Sequence, residues 1–116
     1  MLFSLVPGMR AARRIGIAER REKRGDLHGA LRAHAEALEI LGRPGVDLAQ
    51  PWCRSAASVA LHGYAYTAHK LGMWRELLEM LTRWRPIYLR WMEFPATPDE
   101  ASYLRWFEEL LRSQAG

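Results

Sequence analysis

Cysteine is the scarcest chemistry in this chain: Cys53 stands alone, so no intrachain disulfide can brace the fold. Lysine is almost as rare, with Lys23 and Lys70 set against 15 arginines. No apolar run approaches the roughly 20 residues a membrane-spanning helix needs. Phosphate-cradling glycine loops are missing too, because Pro7-Gly8 and Arg43-Pro44-Gly45 have the wrong spacing. Cys53 precedes a helix start and neighbours Arg54, a setting that would favour a thiolate, but no His-Asn or His-Asp signature accompanies it, and it reads as an ordinary loop cysteine. His62 and His69 lie two helical turns apart, and no cysteine or carboxylate completes a metal site with them. These absences leave no catalytic residue, metal or cofactor to assign, and the chain reads as a non-enzyme.

What the chain has is helical periodicity. Leu27, Ala30, Leu31, His34, Ala37, Leu38 and Leu41 recur at the i, i+3, i+4, i+7 spacing of one helical face. Asp26 is placed to cap that helix, Arg32 and Glu36 lie one turn apart on its wet side, and Gly42 with Pro44 supplies a stop. His34 is the polar member of the stripe and reads as a hydrogen-bonded core imidazole. The preceding segment, Met9 to Arg24, reads as the partner helix of a hairpin turning at Gly25.

A second hairpin follows. Ala57, Leu61, Tyr64, Ala65, Ala68 and Leu71 form one stripe; Gly72-Met73 makes the turn; Trp74, Leu77, Leu78, Leu81 and Trp84 form the next. Between the hairpins, Pro44, Gly45 and Pro51 mark residues 43–55 as an enlarged loop. After Pro86 the chain predicts a short helix, Ile87 to Phe94. Thr97-Pro98-Asp99-Glu100 then carries an N-cap hydroxyl, a first-turn proline and a capping-box glutamate for a last helix, whose apolar face is Tyr103, Phe107, Leu110 and Leu111.

The run Gly25-Asp26-Leu27-His28-Gly29-Ala30-Leu31 with Ala37-Leu38-Glu39-Ile40 resembles the second half of a tetratricopeptide repeat. The resemblance extends over roughly residues 9–85. It departs at Arg14 and Arg21, where the family commonly has large aromatics, and at Leu77 and Trp84, where it favours alanine. Gly72 also lies 47 residues after Gly25, against a family period of about 34. The resemblance implies an all-α fold of antiparallel helical hairpins: a first hairpin over 9–42, the loop 43–55, a second hairpin over 56–85, and a short helix with a C-terminal capping helix over 86–116. It also implies a binding groove lined by the first helix of each hairpin. Matching to that pattern places Val59, His62, Tyr66, His69 and Lys70 on the groove side, with Ala12, Ile15, Glu19, Glu22 and Lys23 as their counterparts in the first hairpin. Such a groove lacks the asparagine and lysine set that captures a peptide carboxylate.

Charge is uneven although the net value is +4. Between Arg10 and Arg24 seven basic residues face only Glu19 and Glu22, whereas residues 98–116 hold four acidic residues against Arg105 and Arg112. Arg10, Arg13, Arg14, Arg20, Arg21 and Arg24 form a basic surface, read either as a solvated face of an arginine-rich chain or as a surface for a partner. Trp74 and Trp84 lie on apolar stripes and are assigned to the core. Trp91 and Trp106 are open between burial and an interface.

The functional expectation is a protein-interaction module or small adaptor subunit that binds another protein through the groove. Two alternatives stand beside it: a basic helical protein holding nucleic acid on its first helix, and an accessory subunit of a larger enzyme or secretion assembly. A salt series separates the first two, since phosphate binding weakens steeply with salt. Two hairpins fall short of the three repeats usually needed for a stable stack, so self-association or docking is expected to cover an open end. Leu2, Phe3, Leu5 and Val6 folding back would be another cover. The single cysteine fits a reducing cytoplasm, and Met1 to Val6 is too short for the core of a secretory signal, although the arginines behind it mimic an organellar transit peptide.

Overall fold

A computed structural model describes residues 2–115, with side chains from Val6 to Ser113. The described residues form five α-helices: α1 Leu2–Lys23, α2 Leu27–Leu41, α3 Pro51–Leu71, α4 Trp74–Glu93 and α5 Pro98–Ala115. Each helix packs on the next in sequence, and α1 also packs on α3, and α3 on α5. Gly8 approaches Cys53, and Lys23 shares a depression with Lys70, so α1 and α3 run parallel. Ser58 and His62 meet Glu100 and Tyr103, which makes α3 and α5 parallel as well. The odd-numbered helices therefore form one layer, with α2 and α4 behind them.

Local chemistry explains the boundaries. Gly25 and Gly72 turn the chain at φ of +81° and +70°, the left-handed region that side chains disfavour. Asp26 Oδ1 accepts the Gly29 N–H at 2.9 Å, and a Cβ on Gly29 would collide with that carboxylate. Gln50 Oε1 accepts from Cys53 N at 2.8 Å at the head of α3, where Pro51 occupies the first position and gives up an N–H that the helix has no use for. Thr97 Oγ1 accepts from Glu100 N at 3.0 Å, and Glu100 returns the favour to Ala96 N at 2.9 Å.

Three expectations on element bounds need correction. The first helix starts at Leu2 instead of Met9, so Leu2 to Val6 extend α1 and do not fold back as a cover. The loop ends at Gln50, because Pro51 opens α3 where it was expected to sit in irregular chain. Pro86 does not divide α4 from a separate short helix: the helix runs through to Glu93. Both Pro86 and Thr82, whose carbonyl loses its bond, are exposed, so water can satisfy what proline removes.

The core joins the layers through small residues at close seams and large ones where helices diverge. Ala30 packs with Ala18 and Ala33 in the α1–α2 seam, all within 1% of full burial. Leu61, Leu77, Leu81, Tyr88, Leu104 and Phe107 fill the α3–α4–α5 half and are buried. Trp84 and Trp91 are buried as well, which settles Trp91 on the core side. Arg14 and Arg21 tie α1 to α2 at its edge: Arg14 pairs with Glu36 at 3.7 Å and Arg21 donates to the Gly29 carbonyl at 3.0 Å.

Candidate functional site

The face shared by α1, α3 and α5 carries most of the side chains expected to line a groove. At its lower end Glu19, Glu22 and Lys23 from α1 surround one depression with Lys70 from α3, next to Gly25 and Leu27. Further along α3, Tyr66 is 40% exposed and Val59 39%, a high value for such apolar groups on a helix flanked by two others. The Lys70 ammonium stands 4.8 Å from the centroid of the Tyr66 ring, a cation–π contact that fixes the charge over the aromatic face. One expectation fails: Ile15 is buried in the core and lines nothing, because its position on α1 turns toward α2 and α3.

The sequence reading left α5 out of this face. His62 stacks on Tyr103 with ring centroids 4.0 Å apart, and Trp106 lies 5.6 Å from the same imidazole. His69 stands between Trp106 at 6.2 Å and Trp74 at 4.9 Å. The result is a connected line of rings from Tyr66 through His62 and Trp106 to His69 and Trp74, with Tyr103 branching from His62, crossing from α3 to α5 and the head of α4. Trp74 is half-buried and so belongs to this line as well as to the core. Tyr103 and Trp106 sit one turn apart on α5; the sequence reading assigns Tyr103 to the apolar face of that helix and leaves Trp106 open between burial and an interface.

Electrostatics keeps the centre of the face uncharged. Burial pushes the His62 imidazole down from the usual histidine value, and Glu22 only partly opposes this, so the site favours the neutral ring. His34 lies behind it, 3% exposed, with its pKa brought down to about 4 by burial first and the neighbouring His62 second. It is a core imidazole as expected, and its Nδ1 has no hydrogen-bond partner. Charge is concentrated at the Glu19, Glu22, Lys23 and Lys70 end. The face thus offers an aromatic middle and a zwitterionic end.

A second polar constellation was not anticipated. Arg54 on α3 reaches α5 and the end of α4 at once: Nη2 donates to Glu100 Oε1 at 2.6 Å and to the Phe94 carbonyl at 2.7 Å, and Nε donates to Glu100 Oε2 at 3.2 Å. Ser58 Oγ completes the cluster by donating to Glu100 Oε2 at 3.1 Å. Burial alone would raise the Glu100 carboxyl, but the bonds from Arg54, Ala96 N and Ser58 outweigh it and hold the group below the usual range. Through these bonds the cluster ties α3 to α5 and to the end of α4.

No family model, curated protein or solved structure matches this chain.

The other sequence candidates separate clearly. Cys53 is buried in the first turn of α3, and burial raises its thiol above the usual range, opposite to what a reactive thiolate requires. Among the described residues no group of three or more His, Cys, Asp or Glu side chains comes together as a metal site. Of the basic surface, Arg10, Arg13, Arg20 and Arg24 are exposed and make no ion pair among the described residues. Along α5 the exposed positions Ser102, Arg105, Glu109 and Arg112 are polar.

Proposed function

We propose that the chain is a tetratricopeptide-like helical array whose α1–α3–α5 face binds a segment of another protein. The observation that carries the reading is the exposed Val59–Tyr66 line on the middle helix, continued by a ring series on α5 and closed by opposite charges at one end. Aromatic groups with few rotatable bonds make strong, low-entropy contact anchors, and exposing them on a layer of parallel helices costs a protein unless something covers them. Support for the array comes from the alternation of the packing: odd helices side by side, even helices behind, left-handed glycines at the two hairpin turns, and alanines at the closest seam.

The partner segment suited to this face has an apolar or aromatic side chain for the Val59, Tyr66 and Tyr103 surface, and a charged residue for the Glu19 and Lys70 end. The test is co-purification from the native source followed by mass spectrometry, run on the natural chain and on a His62→Ala, Tyr66→Ala variant. The variant should keep its helical circular dichroism and lose the partner. Retention of the same partner by the folded variant would remove this face as the binding site.

A further inference from the structure

The outward side of α1 is unlike the groove. Only α2 and α3 pack on this helix, so one flank stays open along its length. At about 100° per residue, Val6, Met9, Arg10, Arg13, Arg20 and Arg24 fall within one sector of about 100°. Arg10 to Arg24 spans about 21 Å at the rise of an α-helix. All six side chains are exposed, Val6 and Met9 by 53% each. No carboxylate of α1 shares this sector, since Glu19 and Glu22 belong to the groove side with Lys70. On the neighbouring elements, Glu36 of α2 is turned to Arg14, and Asp47 bears on Cys53. Trp52, 51% exposed at the head of α3, is not part of this flank: it lies against the buried Gly8 and shares the α3 stripe of Val59, Tyr66 and Lys70.

We propose that this flank of α1 docks on the surface of an anionic phospholipid bilayer. Two independent features converge. Exposed arginines without carboxylates are attracted to a negative surface, and their long stems let the guanidinium reach phosphate while the methylenes lie on apolar material. Two large apolar groups, Val6 and Met9, each 53% exposed, stand about one turn apart at the head of the same strip, where a headgroup layer accepts them. A nucleic-acid backbone would account for the arginines but gives Val6 and Met9 nothing to do. Among the described residues no helix is long and apolar enough to cross a membrane, so the attachment is peripheral.

The experiment is co-sedimentation of the full chain with vesicles of phosphatidylglycerol and phosphatidylcholine, against vesicles of phosphatidylcholine alone and against duplex DNA. Binding is expected for the anionic vesicles only, and it should weaken at high salt. An Arg10→Ala, Arg13→Ala variant should lose about 5-fold in partitioning for each arginine removed. A Val6→Ser, Met9→Ser variant with unchanged charge and unchanged circular dichroism should also bind less, and Met9→Ser alone serves if the double change lowers the helical signal. Failure to bind anionic vesicles, equal binding to neutral ones, preference for DNA, or indifference to the apolar variants would each overturn the proposal. None of these side chains lines the groove, so such a failure leaves the groove reading to its own test.

Discussion

The imidazole of His34 on α2 occupies the space that any side chain at position 63 of α3 would fill. A Cβ built on Gly63 collides with three atoms of that ring, so glycine in the middle of α3 is there for the histidine and not for flexibility. Gly63 also accepts a hydrogen bond at its carbonyl from Thr67 Oγ1 at 2.8 Å, which fixes the local helix against a shift. Replacing Gly63 with alanine should therefore destabilise the protein by about 1 to 3 kcal/mol, even though alanine is the better helix former. Adding His34→Ala to that variant should cost less than the sum of the two single changes, as measured by urea unfolding in a double-mutant cycle.

Acid should unfold this protein earlier than its carboxylates alone require. The folded pKa of His34 is about 4 against an ordinary 6.5, so the unfolded chain binds the proton more readily. Stability from the neutral ring is present in full above pH 6.5 and is lost as pH falls toward 4. A shift of this size corresponds to about 3 kcal/mol. His62, also lowered by burial, acts in the same direction. Glu100 and Glu108 have depressed values and withdraw their contribution only below the ordinary carboxylate range. Urea midpoints at pH 7.5 and pH 5 should therefore differ in the natural chain and differ much less in His34→Gln. Equal pH sensitivity in both would show that the ring is solvated.

The α1–α2 seam allows a sharper test of packing. Ala30 is fully buried against Ala18 and Ala33, with Ile17 beside them. Ala30→Leu should overpack this seam at a cost of about 1 to 3 kcal/mol, whereas Ala12→Leu, on the exposed side of α1, should stay within about 0.5 kcal/mol. Thermal melts that rank the two variants in the opposite order would mean the helices are arranged differently.

Much of the architecture was legible because it rests on short-range signals. Asp26, Gly25, Gly72 and Thr97 each mark a turn or cap through groups within a few residues, and all four function where expected. Proline misled because its effect depends on the side it faces: Pro51 fits the first turn of α3, and Pro86 loses its bond on the wet face of α4. Both readings require knowing burial. The groove residues of α3 were legible as a stripe, but its completion by Tyr103 and Trp106 was not, since nothing in α5 alone tells which of its neighbours it lies beside. Arg54 was invisible for the same reason. Its partners Trp91, Phe94 and Glu100 lie 37 to 46 positions away.

That long reach makes Arg54 the most informative single substitution in the α3–α4–α5 half of the fold. Its guanidinium is the principal cation on Glu100, a carboxylate whose side chain is only 5% exposed, and it also lies 5.7 Å from the centroid of the Trp91 ring. Arg54→Ala leaves a buried carboxylate with Ser58 and the Ala96 N–H but no positive charge, which should cost about 3 kcal/mol. The loss should shrink as pH falls and Glu100 takes up a proton, and the pKa of that group should rise in the variant. Arg54→Ala, Glu100→Gln should recover part of the stability at pH 7, since the uncompensated charge is gone while the amide oxygen can still accept from Ala96 N. Chemical denaturation of the natural chain, the single variant and the double variant at two pH values checks all of this together. A single variant as stable as the natural chain would mean that solvent reaches Glu100, and that α5 is held to α3 by the Leu104 and Phe107 packing alone.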